Sequence, residues 1–203
     1  PVGTCLLFSM LFHPPQPLKT YGPRTTMACG LGLLDAVKEV AGLDLALKWP
    51  NDVIAEGLDH PQGWAKVAGL LSEVGRRPGE QVVLVVGVGL NVNVPAAYLT
   101  DRAPGATSLL ALADGPIPRV RLLDRILTLT ERRYDALRAG RDPFEDWRDA
   151  LAWLGDPVEV RTPSGLVHGV AEDVDAQGSL QVRRPDGSLQ TFSAGDVSLR
   201  YAS

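Results

Sequence analysis

The sequence predicts an α/β (α+β) fold, a mixed sheet packed with helices and followed by a small β-barrel. Three observations carry this expectation. Apolar, β-branched runs such as residues 81–88 have the length of buried strands. Residues 24–40 and 119–137 repeat their apolar positions at helical spacing. After Gly155 the texture changes to short strands separated by turn clusters.

Taken in order, residues 4–12 form an apolar strand, and His13-Pro14-Pro15-Gln16-Pro17 lacks the amide donors to continue a ladder. Met27, Leu31, Leu34, Val37 and Val40 then mark a helix buried on one face, with Gly30 and Gly32 allowing a neighbour to approach. Residues 45–49, 67–74 and 81–88 read as strands. Val120, Leu123, Ile126, Leu127 and Tyr134 outline an amphipathic helix facing the sheet, with Gly140 as its stop. Asp142-Pro143 reads as the cap and first turn of a short helix through Trp147 and Leu151, because proline is tolerated where the amide has no helical partner.

Strands at 158–161, 166–174, 180–183 and 189–192 follow, separated by Thr162-Pro163-Ser164-Gly165, Asp175-Ala176-Gln177-Gly178 and Pro185-Asp186-Gly187. This is a barrel of SH3-like size, and the boundary is placed so that 1–152 form the larger unit and 153–203 the barrel. A lone module of that size has a thin core, so packing on the larger unit is expected.

Composition narrows the class. Of 203 residues 45% are hydrophobic and 22% charged, ordinary for a globular protein, so neither disorder nor a fibrous architecture is suggested. A formal charge of −4 with no Lys/Arg-rich run argues against nucleic-acid binding through phosphate contacts by this segment. The longest apolar runs fall far short of a bilayer span. Cys5 and Cys29 have neither metal-ligand spacing nor a disulfide framework, so a cytoplasmic location is expected. The chain opens at Pro1 with no basic stretch ahead of an apolar run, which suggests an interrupted reading frame without its true N-terminus rather than a signal peptide.

Three strings carry candidate chemistry. Lys48-Trp49-Pro50-Asn51-Asp52 sets a lysine, an amide and a carboxylate at a strand end, although Asx residues in a turn often serve only their own backbone. Lys66-Val67-Ala68-Gly69-Leu70-Leu71-Ser72-Glu73 places a lysine at the mouth of a buried strand. It can aim at an anion while Gly69 exposes bare backbone, but a strand-end lysine most often just reaches solvent. Gly87-Val88-Gly89-Leu90-Asn91-Val92-Asn93 lacks the third glycine and the following helix of a dinucleotide fingerprint. Its glycines imply close approach by either a neighbouring element or a ligand, and spacing leaves the two equal.

In this order, together with Phe8-Ser9-Met10 upstream, Ala106-Thr107-Ser108-Leu109 later and Val197-Ser198-Leu199-Arg200 near the end, the strings closely resemble the biotin-protein ligases. The resemblance spans essentially the whole chain. It implies the class II synthetase-like fold of biotin and lipoate ligases with an SH3-like C-terminal domain. The implied reaction activates biotin with ATP and Mg2+ to biotinyl-5′-AMP and transfers biotin to a lysine of a biotin carboxyl carrier domain of a biotin-dependent carboxylase. Lys66 then matches the lysine at the biotin carboxylate and the activated intermediate, and Gly69, Leu70 and Gly87 line the biotin pocket. Lys48 matches a phosphate contact, Asn51 a nucleotide contact, Asp52 a polar or Mg2+-linked organiser, Asn91 an adenylate contact and Arg200 a reach toward ATP from the small domain. Lys66 and Lys48 are the catalytic candidates, and Trp49 packs.

No Ser/His/Asp or Cys/His nucleophile set is evident, as expected where the attacking groups belong to the substrates. The resemblance further implies a possible homodimer through a sheet edge, and a Gly/Arg-rich GRGRxGRxW segment upstream of Thr4. Without that segment, and without a further upstream strand contacting the biotin ring, the chain as written is expected to be inactive or very weak. Two other readings compete at the level of activity. A lipoate or octanoate ligase shares the architecture and is separated by which acid supports pyrophosphate exchange. A biotin-sensing repressor needs a DNA-reading domain of its own. A plain binding module built on the barrel leaves KWPND and GVGLNV unexplained.

Overall fold

The computed structural model describes residues 1–58, 63–75, 82–163 and 165–199. The first part of the chain contributes β1 (Cys5–Phe12), α1 (Leu18–Ala41), β2 (Ala46–Lys48), β3 (Asp52–Glu56), β4 (Trp64–Gly75), β5 (Val83–Asn91), α2 (Ala96–Arg102), α3 (Leu109–Leu112), α4 (Arg119–Arg138) and α5 (Phe144–Asp149). Its five strands lie in the order β1-β5-β4-β3-β2. Each strand pair is antiparallel, and parallel pairing is confined to the isolated bridges Leu47–Leu151 and Lys66–Ala106. The mixed sheet of the sequence reading thus sharpens to an antiparallel one. Among the described residues the strands from β2 to β5 follow one another without a crossover helix, and parallel neighbours would require one.

Alternation along β5 sorts the two faces. Leu84, Val86, Val88 and Leu90 are at most 5% exposed and face the helices, while Gly87, Gly89 and Asn91 face the other way. Helices α1 and α4 cover the first face. They approach closely at Gly32, where an added Cβ would lie 2.5 Å from Thr130 Oγ1 and 2.9 Å from its Cα. The buried stripe of α4 is Leu122, Ile126, Thr130 and Leu137, whereas Val120 and Leu127 are 85% and 43% exposed. The expected helix is therefore present with its face rotated, because the threonine packed against Gly32 belongs to the stripe.

Helix α1 begins at Leu18, earlier than the apolar spacing suggests, and carries Pro23 inside it. It ends on left-handed Gly42 (φ 69°), whose amide bonds Lys38 O. Strand β3 and helices α2 and α3 are additional to the sequence reading. Contrary to expectation, a helix does open shortly after the glycine-containing strand, at Ala96. Even so, β5 sits between antiparallel neighbours and is no dinucleotide-binding unit.

The second sheet contains β6 (Pro157–Thr162), β7 (Gly165–Val174), β8 (Leu180–Arg183), β9 (Leu189–Phe192) and β10 (Asp196–Leu199) in the order β10-β6-β7-β8-β9. Val158, Val160, Ala171, Val174, Leu180, Val182, Phe192 and Val197 fill its core. It packs on the first part through Trp49 Nε1 to Gly178 O (2.9 Å), Trp153 Nε1 to Glu56 Oε1 (2.9 Å) and the paired bonds of Arg148 to Asp173 (2.6 and 3.0 Å). No helix among the described residues is long and apolar enough to cross a membrane.

Candidate functional site

The face of the first sheet turned away from the helices is open, and register decides what it presents. Gly89 lies between Leu7 of β1 and Gly69 of β4, and Gly87 between Ser9 and Leu71. Three glycines on adjacent strands leave a trough of bare backbone, flanked by Leu7 (81% exposed) and Leu71 (61% exposed). A Cβ at Gly87 would meet Leu71 O at 3.6 Å and Ser9 Oγ at 3.7 Å, and one at Gly89 would meet Leu7 Cδ2 at 3.5 Å. These are ordinary contacts, so packing within the protein does not require glycine at either position.

At one end of the trough stands Lys66. Its backbone is held on the side away from β3, where Lys66 N donates to Gly105 O and Thr107 N donates to Lys66 O, both at 2.8 Å. A register irregularity between Val53 and Ile54 brings Asp52 opposite Gly69 while Ile54 faces Lys66. The Lys66 ammonium meets Asp52 Oδ1 at 2.5 Å. It remains 43% exposed and within 3.1 Å of where a Gly69 Cβ would stand. A cavity of about 560 Å³ joins Asn51, Lys66, Gly69, Leu70 and Gly87 on this face.

Five of the residues singled out from sequence therefore border one space. Asn51 closes its margin through reciprocal bonds, with Nδ2 donating to Leu70 O and Leu70 N donating to Asn51 O, each at 2.8 Å. Asn91 lies at the far end of β5, where its Nδ2 donates to Thr107 O at 3.0 Å, so it fastens the same 105–108 loop that clamps Lys66.

Lys48 is held by carboxylates of both sheets. It is 3% exposed, its ammonium meets Asp196 Oδ1 at 2.6 Å and Asp52 Oδ2 at 3.8 Å, and it lies over the Trp64 ring at 5.4 Å. Trp49 is buried, as expected of a packing residue. Arg200 lies outside the described residues. Sequence reasoning missed Asp196 and Trp64, since neither is near the lysine in the chain and no local pattern links them.

Asp52, the one acidic side chain among the candidates, has both oxygens facing lysine ammoniums. Among the described residues no three His, Cys, Asp or Glu side chains converge as metal ligands. This donor set does not by itself make a Mg2+ site. Burial pushes the Cys29 thiol up to about 12, so it carries no nucleophilic thiolate at neutral pH. A second cavity, about 570 Å³, lies on the helix side between α1, the KWPND turn and Trp147.

Known proteins resemble this chain in sequence and in fold. Residues 154–200 match the family described as the biotin protein ligase C terminal domain. The chain is 32% identical over 182 residues to a biotin–[acetyl-CoA-carboxylase] ligase of Paracoccus denitrificans, covering 85% of this chain and 71% of that protein. It is 38% identical over 177 residues to the Mycobacterium tuberculosis protein of the same name, covering 85% and 60%. The chain spans 59–60% of the length of the first curated relatives it matches. A biotin protein ligase from Aquifex aeolicus, solved in complex with biotin and ATP, has the same fold, with a TM-score of 0.74 at 23% identity over 98% of this chain and 79% of that one.

Proposed function

The chain belongs to the biotin protein ligase family, and from that premise we propose that the protein carrying it activates biotin with ATP and transfers it to a carrier lysine. The observation that carries this reading is the pairing of a half-exposed ammonium, Lys66, with a trough of glycine backbone that packing does not demand. A flat bicyclic ring lies on such a trough with its apolar tail between Leu7 and Leu71, and its carboxylate ends at Lys66.

In the first step a biotin carboxylate oxygen attacks the α-phosphorus of ATP. A C–O–P anhydride forms, and the bond to pyrophosphate breaks. In the second, the carrier amine attacks the carbonyl carbon, AMP leaves, and the amine loses a proton. The enzyme's task is positioning and charge stabilisation; the flat glycine face, whose amides are already paired in the sheet, suits the first and the fixed ammonium suits the second. Asn51 and Asn91 contribute nucleotide contacts in this reading, Asp52 orients Lys66, and Arg200 reaches the nucleotide from the small domain. Any Mg2+ the reaction uses would come bound to ATP and would supplement the ammonium's charge at the phosphates.

The division into a catalytic unit, 1–152, and a barrel, 153–203, a carboxylase carrier domain as partner and a cytoplasmic location belong to the same proposal. Pairing of two copies through a sheet edge belongs to it too. It would use β1, because the outer edge of β2 is covered by Leu47 N to Ala150 O and Ala152 N to Leu47 O.

The test is isotope exchange between pyrophosphate and ATP, catalysed by the full-length gene product containing this chain. Exchange that requires biotin and ignores lipoate is expected. Exchange driven by lipoate instead would transfer the protein to the sister activity.

A further inference from the structure

Four charges of alternating sign form a line that crosses from the first sheet to the second: Lys66, Asp52, Lys48 and Asp196. Asp52 stands between two ammoniums. Its Oδ1 is 2.5 Å from Lys66, and its Oδ2 is 3.8 Å from Lys48. Lys48 is the buried member, 3% exposed against 43% for Lys66 and 71% for Asp196. A buried ammonium needs a close counter-charge, since desolvation without one is expensive. Asp196 provides it at 2.6 Å and so leaves Asp52 to Lys66. Asp196 is itself held by its place at the start of β10, paired with Arg161, and by Gly195, which lies against Val160 and Trp49.

We propose that Asp196 is a positioning residue for the anion-binding lysine of the open face: by neutralising buried Lys48 it determines that Asp52 orients Lys66. Without the Asp196 charge, Lys48 remains buried and its nearest other carboxylate is Asp52. That carboxylate turns toward Lys48, and Lys66, which has water available, loses its fixed direction. The second sheet thereby takes part in setting the geometry of the first sheet's lysine through a charge it places there. The catalytic consequence rests on the ligase reading above; the change at Lys66 does not.

The test uses Asp196→Asn, Asp196→Glu, Lys48→Met and the double variant Asp196→Asn/Lys48→Met in the full-length gene product containing this chain. In Asp196→Asn, kcat for biotin-dependent exchange is expected to fall about tenfold while KM for ATP stays within about twofold, and Asp196→Glu recovers most of the loss. Asp196→Asn adds nothing to Lys48→Met, because without the Lys48 ammonium Asp52 has no competing charge to turn toward and stays on Lys66. In 13C-lysine-labelled protein without substrate, the Lys66 ε-CH2 resonance shifts in Asp196→Asn and returns in Asp196→Glu.

A simple clasp between sheets would lower Tm and leave Lys66 unmoved. An unmoved Lys66 signal, or additive losses in the double variant, overturns the proposal. If the wild type shows no biotin-dependent exchange, the ligase reading fails, and the Lys66 signal alone still decides the electrostatic relay.

Discussion

Glycines in strands serve opposite purposes in the two sheets. In the second sheet, Gly169 of β7 is where it is because nothing larger fits: a Cβ there would overlap Arg183 O and lie 2.5 Å from Val182 Cγ1. In the first sheet, Gly87 and Gly89 have room for a methyl group, with no atom nearer than 3.5 Å. One sheet uses glycine to close its core. The other keeps its surface flat for something outside it. The same contrast holds for charge. The line from Lys66 to Asp196 is anchored at its buried Lys48 member and ends on the open face, whereas the ion pair of Arg183 with Glu172 in the second sheet is a solvated surface pair.

The largest effect is expected at the end of the trough. Lys66→Ala removes the fixed positive charge and is expected to lower biotin-dependent exchange by about a hundredfold or more, the scale of losing one preorganised charge-stabilising group. Thermal unfolding should change little, because the side chain is 43% exposed. Exchange at the wild-type rate would remove Lys66 from the chemistry and leave the trough without its polar terminus.

Gly169→Ala should do the reverse. The overlap with β8 forces strands apart and is expected to cost about 2–3 kcal/mol of stability. Chemical denaturation, followed by fluorescence of the tryptophans at the junction between sheets, measures it. An unchanged midpoint would mean that β7 and β8 are not held at the separation described.

The two sites differ in how far the sequence announced them. The strands bearing Lys66 and Gly87 were legible because β-branched and apolar residues bound them, and the barrel was legible because each reversal carries Gly, Asp or Pro at a turn position. Helix α1 was read short because its apolar spacing begins only at Met27, and the first turns, from Leu18 through Pro23, carry no such periodic signal. Strand β3 was missed since Val53-Ile54-Ala55 is a brief run between Asp52 and Glu56, and only pairing with β2 and β4 makes it a strand. For Gly87, spacing left ligand and neighbour equal; the room around it means that no neighbour requires the glycine. Lys48 and Asp196 are 148 residues apart, and no periodicity links such a pair.

A finer cut between the sheets comes from Gly87→Ala. The methyl group makes only ordinary contacts with Leu71 and Ser9, so stability should stay within about 0.5 kcal/mol of wild type. It fills part of the trough, and biotin affinity by calorimetry should weaken about tenfold, as for a steric change of one methyl in a fitted pocket. Equal loss of stability would mean that the trough glycines are packing residues like Gly169, and the contrast would collapse.

The smallest effect concerns the clasp between the two parts. Arg148 donates two hydrogen bonds to Asp173, and these, reinforced by the Val174 amide, hold the Asp173 carboxyl below the usual aspartate range. A depressed folded-state pKa stabilises the native protein above the ordinary aspartate value of about 3.9, and that contribution disappears as pH falls through the lower folded value. Arg148→Met should therefore lower Tm slightly at neutral pH, with the gap from wild type narrowing as the solution is acidified below pH of about 4. Both side chains are about a third exposed, so salt should narrow the gap as well. A gap indifferent to both acid and salt would assign the clasp to the packing of Trp147 and Trp49 around Gly178, and the pair would be a by-product of that contact.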